Sequence, residues 1–414
     1  MFTSDTIVDD FALVEFTMKA KEMEIAFVID TTGSMEPYIK AAKDTVLALA
    51  NQLDKKCGTT IKFGAVAYRD HPQDRAPTYI TKLKDFTSDP QDFKAFINGE
   101  SAAGGDDHPE ALNTALKVAA DKISWSDDNE TIRILVVITD APPHGIGESG
   151  DFFPQGDPDG SCGIEAARRM AKKGITIHTV AVEPSISTMS KFGKDFLCAV
   201  AKTTQGRCVR LDESKQLIDL VCGTVTEASE LDDLMALPTG DGDAPSMGSI
   251  AQQVEALTIG GMPEDEAVNA VYRSLSSQLE TMGRKVTQVE CSEVEESKAA
   301  KVFLEAPSLE EARKKLVKIA PTIPEGFPMP DGRSFGCPDI GESKYRSLGA
   351  PREPSSRSSD PAGVRDYRSL ATADPDPPCK RPCLAPTRPT AKPGALTRAQ
   401  FDRMLCRSRS AMAL

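Results

Sequence analysis

Two hydrophobic rhythms alternate along residues 24–235. Glu24 to Ile29 reads E-I-A-F-V-I and ends at Asp30, a near-continuous apolar run of the kind a strand covered on both faces requires. From Pro37 to Leu53 the period changes, and Ile39, Ala42, Val46, Leu49, Ala50 and Leu53 recur at helical spacing. The alternation continues with a strand at Ile61–Tyr68, a hairpin partner near Thr78–Leu83, a helix at Pro109–Lys122 and a strand at Ile132–Thr139. Next come a helix at Ile164–Lys172, a strand at Thr176–Val182, a helix around Phe192–Lys202, a short strand at Arg207–Leu211 and a helix from Ser214 toward Leu234. Strand, helix, strand in that order predicts an α/β fold: a doubly wound, mostly parallel, Rossmann-like sheet with helices on both faces.

The rhythm weakens after 235. Met262–Ser277 keeps a helical pattern, and Ser308 followed by Glu311 is a capping box ahead of Leu309, Ala312, Leu316 and Ile319, which line one face until Pro321. Beyond 320 the composition changes: 15 of the 29 prolines fall in the last 94 residues, among Ser/Arg runs with few large apolar side chains. Such a stretch cannot bury enough surface to offset its chain entropy. The expected organisation is an N-terminal extension at 1–22, the α/β domain at 23–235, a short helical region at 236–320 and a disordered, basic Pro/Ser/Arg-rich tail at 321–414.

Charge sharpens this division. Of the net −13, residues 1–320 carry 34 basic and 52 acidic side chains, whereas 321–414 carry 15 basic and 10 acidic. Within the tail, Lys344-Tyr345-Arg346-Ser347-Leu348 recurs as Asp366-Tyr367-Arg368-Ser369-Leu370, a duplicated motif that would suit a docking partner or a kinase acting on Ser. Apolar runs such as Ile134 to Ile138 are far short of the ~20 residues a bilayer helix needs. The first ten residues hold three Asp and no Lys or Arg, and the ten cysteines form no C-x-x-C pair, so a cytoplasmic chain with reduced thiols is expected. The nucleus is the alternative, through Lys380-Arg381. Neither a specific nucleic-acid partner nor a membrane span is expected.

In an open parallel sheet, ligands bind beyond the carboxyl ends of the strands. After the first strand comes Asp30-Thr31-Thr32-Gly33-Ser34-Met35, after the second Tyr68-Arg69-Asp70-His71, and after the central one Thr139-Asp140-Ala141-Pro142-Pro143-His144-Gly145. A further loop, Gly104-Gly105-Asp106-Asp107-His108-Pro109-Glu110, leads into a helix. Carboxylates and hydroxyls dominate these positions, and such hard oxygen donors suit Mg²⁺ or Mn²⁺ better than zinc. A plainer role is open to some of them: Asp30 and Ser34 can cap the first helix, and Asp107 with Glu110 matches a D-x-x-E capping box.

D-T-T-G-S-M at 30–35, G-G-D at 104–106 and I-T-D at 138–140 together resemble the metal-ion-dependent adhesion site of von Willebrand factor type A domains. The variant is most similar to the one found in alpha-kinase proteins, through A-Y-R-D-H at 67–71, G-G-D-D-H-P-E at 104–110 and D-A-P-P-H-G at 140–145, although no kinase domain follows. The resemblance implies that Asp30, Thr32 and Ser34 are metal ligands, directly or through water, with Asp140 completing the set. Asp106 stands where most of the family has Thr.

The function that follows is a non-enzymatic interaction module, in which a divalent cation at the carboxyl edge of the sheet bridges to a protein partner. Two alternatives belong to other classes: a metal-independent scaffold, and a phosphatase of the haloacid dehalogenase type with Asp30 as nucleophile. Those enzymes usually place a second Asp two residues on, where this chain has Thr32.

Overall fold

The computed structural model describes residues 22–36, 38–40, 60–72, 79–105, 107–128, 131–211, 216–235, 247–291, 293–319 and 390–413. Strands β1 (Glu22–Asp30), β2 (Thr60–Tyr68), β3 (Thr81–Thr87), β4 (Ile132–Thr139), β5 (Thr176–Val182) and β6 (Cys208–Leu211) form one sheet in the order β3-β2-β1-β4-β5-β6. Every pairing is parallel except that of β3, which runs antiparallel to β2 along the edge. Helices α1 (Pro90–Asn98), α2 (Leu112–Asp121), α3 (Gly163–Lys172), the short α4 (Ser185–Met189), α5 (Gly193–Thr203) and α6 (Gln216–Met235) connect or cover the strands.

The apolar runs of β1 and β4 are continuous because both faces are covered. Ala26, Val28, Leu135 and Val137 pack with Leu112 and Leu116 of α2, Met170 of α3 and Phe196 of α5. Their neighbours Ile25, Phe27, Ile134 and Val136 face the other layer, with Phe93 and Ile97 of α1 and Val221 and Val225 of α6. Each such fully buried side chain contributes roughly 1.5–3 kcal/mol of apolar burial, and together they fix the strand ends that carry the polar loops.

The helical region after 246 does not stand apart. Helix α7 (Met247–Ile259), α8 (Glu264–Thr281), strand β7 (Val286–Glu290), α9 (Lys298–Glu305) and α10 (Leu309–Leu316) follow in order. Phe303 of α9 meets Phe196 edge-on at 5.6 Å, and Leu309, Ala312 and Leu316 of α10 join the same core. The Ser308 cap is present, its side chain accepting from the Glu311 amide at 3.4 Å.

Two expectations need correction. The helix predicted from Pro109 begins at Leu112, because the Glu110 amide donates to the Pro142 carbonyl (2.9 Å) and Glu110 forms an isolated bridge with Pro143. The stretch predicted to lack structure after 320 ends in strand β8 (Thr390–Gly394), antiparallel to β7, and helix α11 (Arg398–Ala413). There Phe401, Met404 and Leu405 enter a second core with Val254, Val271, Leu279 and the Leu231 end of α6. A buried carboxylate ties this helix down: Glu227 Oε1 accepts from Arg207 (2.8 Å), Arg403 (2.7 Å) and Gln400 (2.6 Å).

The 1–22 extension up to residue 21, most of the helix expected at Pro37–Leu53 and the motifs at Tyr345 and Tyr367 lie outside the described residues. Among the described residues, no helix is long and apolar enough to cross a membrane.

Candidate metal centre

Asp30 is the last residue of β1, and Thr139 is the last of the adjacent parallel strand β4, so both strands deliver their ends, and Asp140 after them, to one sheet edge. The chain after Asp30 turns at once through a single 3₁₀ turn, Gly33–Met35. That turn folds the hydroxyls of Thr32 and Ser34 back toward the strand ends. Thr32 Oγ1 and its amide donate to Asp30 Oδ1 at 2.6 and 2.9 Å, Thr32 Oγ1 lies 3.4 Å from Ser34 Oγ, and Ser34 Oγ donates to Asp140 Oδ1 at 2.9 Å. The other Asp30 oxygen accepts from Thr139 Oγ1 at 2.9 Å and Tyr68 Oη at 3.4 Å.

Four residues singled out in the sequence, Asp30, Thr32, Ser34 and Asp140, therefore meet at one place. Asp106 lies outside the described residues. Its loop is nonetheless held against the first turn: the Gly33 amide donates to the Gly104 carbonyl at 3.3 Å and the Ala103 amide to the Thr31 carbonyl at 3.1 Å. Gly105 has φ +97°, and a Cβ there would come within 2.9 Å of Glu110 Oε1, so this close passage of loop over site requires glycine.

The electrostatics are those of crowded acids. Burial, then the charge of Asp140, pushes the Asp30 carboxyl up to about 6 despite the donors on it. Burial also raises Asp140, against the Ser34 and Ser185 hydrogen bonds. Glu110 is buried, its Oε2 has no hydrogen-bond partner, and burial together with Asp30, Asp70, Asp107 and Asp140 pushes it well above the usual carboxylate range. The capping box expected of Asp107 and Glu110 does not form: Asp107 Oδ2 instead accepts from the Phe152 amide at 2.8 Å, and the Glu110 amide donates to Pro142. Mutually repelling buried carboxylates, intervening hydroxyls and an unpartnered carboxylate oxygen make an all-oxygen donor set, the chemistry that a hard divalent cation satisfies.

Beside this set lies another polar cluster. His144 is fully buried between Asp151, 2.8 Å from Nδ1, and Asp70 Oδ1, 2.7 Å from Nε2. Although burial opposes its charge, the hydrogen bonds to Asp151 and Asp70 carry the imidazole up to about 10. The third group near it is Asp107, pushed up to about 7 by burial. Asp70, Asp107 and His144 offer ligand atoms within 4.8 Å of one another, as do His71, Asp157 and Asp159.

A family profile described as the von Willebrand factor type A domain matches residues 24–221. Among known proteins the chain is 29% identical over 158 residues to alpha-protein kinase vwkA of Dictyostelium discoideum, covering 37% of this chain and 24% of that protein. It is 25% identical over 202 residues to a protein of Acanthamoeba polyphaga mimivirus named as ariadne-like with a RING finger, covering 47% of this chain and 19% of the other. The match thus spans a quarter or less of either relative's length. The crystal structure of BatB from Bacteroides thetaiotaomicron is 21% identical, with 51% of this chain and all of that chain covered at a TM-score of 0.35. With the strand order, the covered sheet and the matched segment in agreement, residues 24–221 of this chain are a von Willebrand factor type A domain.

Proposed function

We propose that the chain is a non-enzymatic, cytoplasmic interaction protein whose type A domain captures a protein partner through a divalent cation, Mg²⁺ or Mn²⁺. Asp30, Thr32, Ser34 and Asp140 would hold the ion, with Asp106 from the facing loop. The observation that carries this is the joining of the two strand ends by Ser34 and Asp140, which brings two buried acids and two hydroxyls together at the edge where parallel sheets bind ligands. A bound ion would supply an electrophilic position for one oxygen of the partner.

The chain's own residues set the rest. Thr32 and Thr139 each donate to a different Asp30 oxygen and fix the plane of that carboxylate. Tyr79 lies behind the turn, its hydroxyl 2.7 Å from Thr31 Oγ1 and hydrogen-bonded to Glu100, which steadies the backbone that carries Thr32. Three carboxylates at 30, 106 and 140 would outweigh the +2 of an ion, so the partner should offer a neutral oxygen or a basic group rather than an acidic side chain. The tail motifs at Tyr345 and Tyr367 would serve a separate docking or kinase partner.

Capture of partners from cytosol by the full chain, with Mg²⁺ and with EDTA, tests the proposal. A partner retained only with Mg²⁺ and lost in Asp140→Ala supports it; partners that bind equally in EDTA and to Asp140→Ala contradict it.

A further inference from the structure

The two clusters near the sheet edge differ in one respect. Around Asp157 and Asp159 the carboxylate oxygens are spoken for: Asn113 donates to Asp157 Oδ1, the Thr114 amide and hydroxyl to Asp157 Oδ2, and Ser161 to both oxygens of Asp159. Around His144 they are not. The His71 amide (2.6 Å) and His144 Nε2 (2.7 Å) share Asp70 Oδ1, which leaves the buried Oδ2 of Asp70 without a partner. The Phe152 amide takes Asp107 Oδ2, which leaves the buried Oδ1 of Asp107 likewise. The Asp70 side chain is 7% exposed and that of His144 0%. The two neighbouring carboxyls interact with each other, which helps to raise Asp107, and no other donor among the described residues reaches these two buried oxygens beside the imidazole.

The far side of that imidazole is already arranged as a metal ligand's would be. Asp151, itself held by the Gly145 and Phe153 amides at 2.8 Å, accepts a hydrogen bond from Nδ1–H and so turns Nε2 toward Asp70. A carboxylate behind a histidine, fixing its tautomer and ring orientation, is the usual support of a histidine that ligates a metal. Phe153 packs edge-on against the ring at 5.0 Å and against His71 at 5.7 Å, limiting ring rotation.

We propose that Asp70, Asp107 and His144 form a second cation site, separate from the Asp30 centre, which takes a borderline divalent transition metal of the Zn²⁺ or Co²⁺ class. The nitrogen donor sets its preference away from Mg²⁺, whose ligands are oxygens. On binding, the proton now shared between Nε2 and Asp70 leaves to solvent, and the metal takes its place as the charge that the two carboxylates face. The site does not depend on the Asp30 centre being a metal centre.

Co²⁺ titrated into the full chain, followed by its visible absorption, is the test. One Co²⁺ with nitrogen-ligand bands is expected in Asp30→Ala, and also in the wild-type chain kept saturated with Mg²⁺. Asp107→Asn should weaken that Co²⁺ at least tenfold without altering Mg²⁺ binding, and His144→Gln should abolish its bands. Should His144→Gln not fold, Asp107→Asn, at a half-buried position, decides alone. No Co²⁺ bound in the Mg²⁺-saturated chain, or equal affinity in Asp107→Asn, would overturn the site and show a closed ion-pair network instead. Loss of Mg²⁺ binding with retention of Co²⁺, or the reverse, separates failure of one site from failure of the other.

Discussion

Ser34 Oγ donates to Asp140 Oδ1 at 2.9 Å, joining the turn after β1 to the loop after β4 across 106 positions of sequence. Ser34 is exposed, so the bond serves geometry more than stability. Ser34→Ala should lower Mg²⁺ affinity roughly tenfold, about 1.4 kcal/mol, and change unfolding stability by less than about 1 kcal/mol. Calorimetry and urea unfolding on the same variant check both halves.

Asp30 gives a pH dependence of definite sign. Its carboxyl lies near 6 in the fold against 3.8 ordinarily, so between those values the folded state holds more protons than the unfolded. The ion-free fold therefore loses stability as pH rises from about 4 to about 6, on the order of 3 kcal/mol from this group. A cation that neutralises the ionised acids offsets that loss, so the rise in Tm on adding Mg²⁺ over EDTA should be larger at pH 7.5 than at pH 5. An equal rise at both would show that the ion is not held by Asp30.

Gly105 passes over the site with φ +97°, and a Cβ there would press on the Glu110 carboxyl. Gly105→Ala should cost about 1–2 kcal/mol in unfolding free energy from the backbone alone. It should also weaken Mg²⁺ binding, since the loop carrying Asp106 must move away from Thr32.

Glu227 anchors the last helix through two arginines, all three side chains nearly buried. Glu227→Ala removes the buried carboxylate that both guanidinium groups share, leaving Arg207 with the part-exposed Glu293 at 3.4 Å, and should destabilise by about 3 kcal/mol in urea unfolding, with Glu227→Gln milder. Both variants should keep Mg²⁺ binding at temperatures where they remain folded.

How much of this was legible follows the physics of each segment. Ile132–Thr139 and Thr176–Val182 were bounded to the residue, because a strand buried on both faces is mostly apolar and stops where the polar loop begins. Helix α1 was missed although Asp89 and Pro90 mark its start; nine residues at the edge, with only Phe93 and Ile97 buried, leave little periodicity to detect. The last part of the tail, 390–413, misled for the opposite reason. Arg, Ser and Pro dominate its composition, yet Phe401, Met404 and Leu405 hold helical spacing, and Arg403 finds a buried partner far away in sequence. At this sheet edge, the positions of Asp30, Thr32, Ser34 and Asp140 beside one another were readable from their places at the strand ends. Glu110 was not, since local spacing offered a cap and only the tertiary bridge to Pro143 turns the residue inward. The His144 network was likewise invisible, its partners Asp70 and Asp151 coming from separate loops.

Titration calorimetry of Mg²⁺ and Mn²⁺ into the full chain tests the central claim most directly. One site should appear with either ion in the wild type, and it should vanish in Asp30→Ala and in Asp140→Ala while circular dichroism shows both variants folded. Binding of either ion to folded Asp30→Ala with wild-type affinity and stoichiometry would contradict the account.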